Sequence, residues 1–220
     1  MWWQFLQDKA TMGWLAVAIM LAAYAFQIWR TLSGRSRPHP VAWFGFGLLT
    51  GAGYFAQIQT GAGAGSWVMG LTSVFCFIVA GVSYLTYTSY WKEKGVKRWD
   101  IAAFFLGGLL FVLYWICKNN TWGPLATATL AAAADLILYF PILRETFHEP
   151  HKECATAYGL NSMKFIPSFF AMGSYSAATY LYPMALVFAN AFVVVWLISR
   201  RRSLAIHTAP SLIIRSSHPS

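Results

Sequence analysis

Seven apolar stretches, each close to the length of a membrane crossing, follow one another along the chain and are parted by short polar or basic runs. They cover 12–32, 40–59, 66–87, 99–117, 122–143, 156–173 and 178–199. About 20 apolar residues at about 1.5 Å per residue match the roughly 30 Å hydrocarbon core of a bilayer. With no water there to bond the backbone, each stretch is predicted to be a transmembrane α-helix. Composition agrees, since 58% of residues are hydrophobic, 10% are charged and mean hydropathy is +0.50. A soluble domain carries roughly a quarter charged residues. The stretches take up most of the 220 residues and leave no sizeable soluble domain.

The first stretch contains Ala23-Tyr24-Ala25, which looks like a signal-peptide cleavage site. The residues before it carry Trp2, Trp3 and an Asp8/Lys9 pair instead of a basic region, so 12–32 is read as a retained span.

If the loops alternate sides, one side collects Arg30, Arg35, Arg37, Lys92, Lys94, Lys97, Arg98, Arg144, Lys152, Arg200, Arg201, Arg202 and Arg215, and the other only Lys9 and Lys118. Such a bias places the N-terminus outside and the C-terminus in the cytoplasm. The net charge of +9 is then the fringe that meets anionic lipid headgroups, and no nucleic-acid partner is called for. Trp2, Trp3, Trp14, Trp67, Trp115 and Trp122 fall near outer ends, and Trp29, Trp43, Trp91, Trp99 and Trp196 near inner ones, as interfacial anchors do.

Cys76, Cys117 and Cys154 have no metal-type spacing, and no metalloprotease, redox, nucleophile-elbow or phosphate-loop motif is present. No cofactor and no metal are expected, and an enzyme is the weakest reading. His148 and His151 are read as part of a solvated loop, and the Thr60–Ser66 glycine run as a short outer turn. Residues 200–220 are read as a basic, disordered tail.

Sliding the chain on itself by 114 residues matches Phe26 with Phe140, Ile28 with Ile142, Arg30 with Arg144, Gly45 with Gly159 and Phe55 with Phe169. The same shift superimposes the first three stretches on the last three. Three helices per repeat would invert the second copy unless one more crossing intervened, and 99–117 supplies it. The expected fold is therefore an all-α integral membrane protein of seven transmembrane helices, 3+1+3, with two parallel three-helix repeats. Its parts are a first repeat with its loop (1–98), a linker helix (99–121), a second repeat (122–199) and the tail.

In this plan the chain resembles the SWEET and PQ-loop transporters over about residues 12–199. The family's Pro-Gln pair is represented by halves, Gln27 in Phe26-Gln27-Ile28 and Pro141 in Phe140-Pro141-Ile142. The resemblance implies alternating access by rocking of kinked helices, with hinge roles for Pro141 and Pro167. Gly53, which the shift pairs with Pro167, gives the second stretch comparable freedom. In the family's sugar carriers an asparagine on the third and seventh helices faces the substrate. Here Asn190 matches, while Cys76 stands at the other position.

Depth singles out the chemistry. Asp135 lies inside an alanine-rich run, eight residues from the inner end of its stretch, and Lys164 lies eight from the inner start of its own. Both are roughly 12 Å deep, and Asn190 roughly 13–14 Å. Tyr158, Asn161, Lys164 and Ser168 form one helical stripe, and the shift sets Asn161, Lys164 and Ser168 on Gly47, Thr50 and Tyr54 of the second stretch. A charged residue at this depth costs about 3 kcal/mol to insert, and contact between Asp135 and Lys164 would offset part of that.

The expected function is transport of a small polar or zwitterionic metabolite, whose ammonium would meet Asp135 and whose carboxylate would meet Lys164. Asn161, Asn190, Thr50, Tyr54 and Cys76 complete the expected substrate site. The plainer structural reading is an Asp–Lys pair that locks two helices, with asparagines bridging helices at about 0.6–2 kcal/mol each. Other functional classes are a non-transporting receptor or adaptor of the same fold and, further off, a retinal-binding protein. Compact loops suggest a bacterial inner membrane, and the sequence leaves room for a homo-oligomer.

Overall fold

The computed structural model describes residues 8–94, 97–117, 119 and 122–208. The calls on Trp2, Trp3, Lys118 and Arg215 lie outside them. Among the described residues the secondary structure is helical, with no strand. The helices are α1 (Lys9–Leu32), α2 (Pro40–Gln59), α3 (Trp67–Thr86), α4 (Thr88–Lys94), α5 (Arg98–Cys117), α6 (Gly123–His148), α7 (Ala155–Met163), α8 (Phe165–Phe170) and α9 (Ala177–Thr208), with a 3-10 turn at Gly63–Ser66.

Among the described residues, five segments, α1, α2, the turn with α3, α6 and α9, are long and apolar enough to cross a membrane. The 156–173 stretch is helical in two pieces, broken at Lys164 between α7 and α8. Pro167 accounts for the break: it has no N–H to offer the carbonyl of Met163, where α7 stops. Pro141 and Pro183 sit within continuous helices.

The ends of the elements follow local chemistry. Asp8 caps α1 by accepting from the Ala10 N–H, and Thr11 also hydrogen-bonds to it. His39 caps α2 through Nδ1, with Pro40 set at the first helical position. Gly34, at φ 76°, lets the chain leave α1 through the left-handed region.

α3 lies between α1 and α2, and α9 lies between α6 and the α7–α8 pair. These two groups meet where α2 packs on α6 and α1 packs on α7 and α8, while α5 packs on α2 and α6. Small residues line the close approaches, among them Ala16, Ala42, Ala52, Ala131 and Ala134. Large apolar side chains such as Trp14, Leu85, Phe105, Trp122 and Phe188 face outward, as on a surface solvated by lipid.

Two expectations change on packing grounds. The tail does not begin at Arg200, because α9 continues to Thr208. Arg200 donates to the Phe147 carbonyl while lying over the Phe147 ring, and Arg201 donates to the carbonyls of Pro150 and Glu153. Trp43 and Trp91 are buried, at 2% and 6% exposure, and so are not interfacial anchors.

Gly53 is a contact position within an unbroken helix, because a Cβ there would run into the ring of Tyr182. Gly53→Ala is expected to displace that ring and destabilise the protein by about 1–3 kcal/mol. A fall in the unfolding midpoint of the variant in detergent checks this. An unchanged midpoint would mean that the ring moves freely.

Candidate functional site

Where the two helix groups meet, the structure encloses a chamber of about 30 Å³. Tyr24 of α1, Thr50 of α2, Thr72 and Cys76 of α3, Asp135 of α6 and Asn161 of α7 all contribute to its wall. Lys164, at the break between α7 and α8, and Asn190 of α9 contribute as well. Of the residues expected from sequence, Asp135, Lys164, Asn161, Asn190, Thr50 and Cys76 are therefore brought together. Tyr54 is not; its half-buried ring packs against Gly70 instead.

Asp135 and Lys164 are each 2% exposed, and they form no ion pair. This corrects the expected contact. The Lys164 amine donates to Thr72 Oγ1 at 2.7 Å and to Asn161 Oδ1 at 2.8 Å. It also lies 5.2 Å from the centre of the Tyr24 ring and 5.0 Å from that of Phe165, an arrangement that favours a cation. Asp135 Oδ1 accepts from the Tyr182 hydroxyl at 3.2 Å, and Oδ2 is buried without a partner. Asn190 spends its amide on the Leu186 carbonyl, and the Thr50 hydroxyl bonds to Phe46 in its own helix. Cys76 Sγ lies 3.1 Å from the Tyr24 hydroxyl.

Lys164 keeps helical dihedrals, φ −59° and ψ −26°, at the junction of α7 and α8, and its side chain reaches Asn161 one turn back and Thr72 on α3. Ser168, on the same sequence stripe, points elsewhere and donates to the Gly65 carbonyl.

Contacts between the two helix groups flank the chamber at either end. Toward the basic loops, the rings of Tyr24, Trp43, Phe46, Tyr139 and Tyr158 form a connected cluster with centroid separations of 4.8–6.5 Å. Beyond them the Arg37 N–H donates to the Lys152 carbonyl at 2.7 Å, joining the α1–α2 loop to the α6–α7 loop. Glu153 sits in that closure, accepting from the Tyr158 hydroxyl and the His39 backbone. At the opposite end the glycine turn meets the α8–α9 loop: Gly173 N–H donates to Ala62 and Gly65 N–H to Ala171. Gln57 Nε2 reaches the Thr179 carbonyl beside them.

Tyr158 stood on the sequence stripe, but the other rings of the cluster and Tyr182 were not legible as site residues. In a chain with 18% aromatic residues, a wall ring and a lipid-facing ring look alike in sequence. Thr72, which holds the amine, carries no signal of its own either. His148 and His151 line an open groove with Lys152 at the basic end, and among the described residues no group of three or more His, Cys, Asp or Glu side chains comes together.

No family model, curated protein or solved structure matches the chain.

The electrostatics of the closure can be tested at Glu153, in the loop outside the spans. Burial, opposed by the hydrogen bonds from His39 and Tyr158, lifts its carboxyl from 4.5 to about 8. Between those values the unfolded chain has released the proton and the folded chain keeps it. The contribution to stability is therefore greatest below pH 4.5, declines as pH rises toward 8 and is level above. Glu153→Gln is expected to flatten that slope in thermal unfolding of the detergent-solubilised protein. Parallel pH profiles for variant and parent would show that the buried carboxyl does not titrate in this window.

Proposed function

We propose that the chain is a membrane carrier of the SWEET and PQ-loop type, with seven spans arranged 3+1+3, that moves a small polar or zwitterionic metabolite by alternating access. The observation that carries this reading is a small central cavity whose wall holds a buried acid and a buried amine that do not pair with each other. Each costs about 2.5–3.5 kcal/mol to hold at membrane depth. A helix lock would recover part of that through direct contact, and Asp135 and Lys164 make none. The free Oδ2 of Asp135 is an acceptor for an ammonium or hydroxyl, and a Lys amine with two of its three donors used has one left for a carboxylate.

The neighbour order supports the repeat. Reading α5 as the linker leaves α1–α3–α2 and α6–α9–α7, two triplets in the same order. The 114-residue shift turns the α2–α6 contact into the α7–α1 contact, as an axis along the membrane normal requires. The basic loops then lie in the cytoplasm. A chamber of about 30 Å³ has room for about one water, so this conformation is a closed one through which the carrier passes.

The test uses proteoliposomes loaded at matched folded yield and a radiolabelled amino-acid pool, with sugars and nucleosides in parallel arms. Asp135→Asn and Lys164→Ala are each expected to lower uptake about tenfold or more, the loss of one charged hydrogen bond at about 1.5–3 kcal/mol. Uptake equal to the parent in both variants would remove these residues from the mechanism. No uptake by the parent in any arm would argue for the receptor class.

A further inference from the structure

A second cavity, about 670 Å³, is cut between α2, α3, α4 and α5 near the basic end of the molecule, apart from the central chamber. Its volume falls within the roughly 300–1,000 Å³ of ligand pockets. Its trough is apolar, formed by Val41, Phe44, Phe77, Ala80, Ile101 and Phe104. Phe44 and Ile101 are more than two-fifths exposed, so the trough opens on the flank of the bundle and not toward the chamber. Gly81 marks its open part, since a Cβ there would meet nothing within 4 Å.

One rim is different. Trp91 and Lys92 stand there on α4, beside His39 and Tyr84. The Trp91 ring is fixed edge-on against His39 at 5.3 Å, and His39 caps α2. Trp91 itself is buried and serves as a wall of the groove. Lys92 is exposed and makes no ion pair among the described residues.

We propose that this groove binds one anionic phospholipid from the leaflet at the basic end, an acyl chain lying between Phe44, Phe77, Gly81 and Phe104 and the phosphate resting on Lys92. The trough offers no hydrogen-bonding partner along its length, which suits a hydrocarbon chain. A peptide laid there would leave backbone groups unsatisfied at membrane depth. The rim supplies a cation, which suits an anionic oxygen. The proposal needs a membrane-embedded chain and is independent of transport.

Native mass spectrometry of the full chain in detergent tests it, with phosphatidylglycerol, phosphatidylcholine and free glycerol phosphate titrated separately. Phosphatidylglycerol is expected to bind one per chain, about fivefold or more tighter than phosphatidylcholine, the difference one interfacial Lys makes. Glycerol phosphate is expected not to bind. Lys92→Ala should bring the two lipids level. Gly81→Trp should fill the trough and abolish retention, with Gly81→Leu as the milder variant if the first unfolds. Equal retention of the two lipids by the parent overturns the headgroup assignment, and competition by glycerol phosphate reduces the site to a plain anion site. Lipid retained by folded Gly81→Trp or Gly81→Leu places it elsewhere. A dimer that Gly81→Trp converts to monomer, without lipid loss, makes the occupant a second copy of the chain.

Discussion

An ammonium group taken out of water must be solvated by the protein, and here Thr72 and Asn161 perform that task for Lys164 without Asp135. Much of the central architecture hangs on this. The Thr72 bond ties α3 to the junction between α7 and α8, and the Asn161 bond fixes the lysine against its own helix. The rings of Tyr24 and Phe165 add a negative face on two sides of the amine. Asp135, left with a single hydrogen bond from Tyr182, remains the group in the chamber most in need of a partner.

The contacts that flank the chamber lie at or close to positions related by the internal shift. Residues 35–40 and 149–154 correspond under the 114-residue offset, and these two loops meet at the basic end through Arg37 and Lys152. At the far end the 60–66 turn meets Ala171 and Gly173, just short of its shifted counterpart. Tyr182 is the side chain that couples packing to chemistry, since its ring fills the notch at Gly53 and its hydroxyl holds Asp135.

The helices were legible because bilayer thickness sets the length of apolar runs, and most expected limits agree with the observed ones. The scan fell short where a helix leaves the hydrocarbon: α6 runs on to His148 and α9 to Thr208, held there by arginine bonds to carbonyls that hydropathy does not register. The Pro167 break was legible as a kink. Depth counting found Asp135, Lys164 and Asn190 because charged and amide side chains are rare in the spans. The shift-based stripe succeeded at Thr50 and failed at Tyr54, whose counterpart Ser168 also turns away from the chamber toward Gly65. A pairing of sequence positions carries the direction of a helix face, and it loses that direction past the break beside Lys164.

The two closures differ in what must be undone to open them. At the glycine-rich end the contacts are backbone hydrogen bonds involving Gly65 and Gly173, with Gln57 beside them. Water can replace such bonds, so each contributes about 0.5–1.5 kcal/mol net. At the basic end five rings pack together, and aromatic pairs add about 0.5–1.5 kcal/mol apiece beyond the burial of their apolar area. Water offers no substitute for those contacts, and the buried carboxyl of Glu153 beneath them adds a pH-dependent element. At the glycine-rich end the packing of Met172 against Gly65 adds to those bonds. The two ends are thus held by different kinds of contact, one mainly backbone polar and the other mainly aromatic.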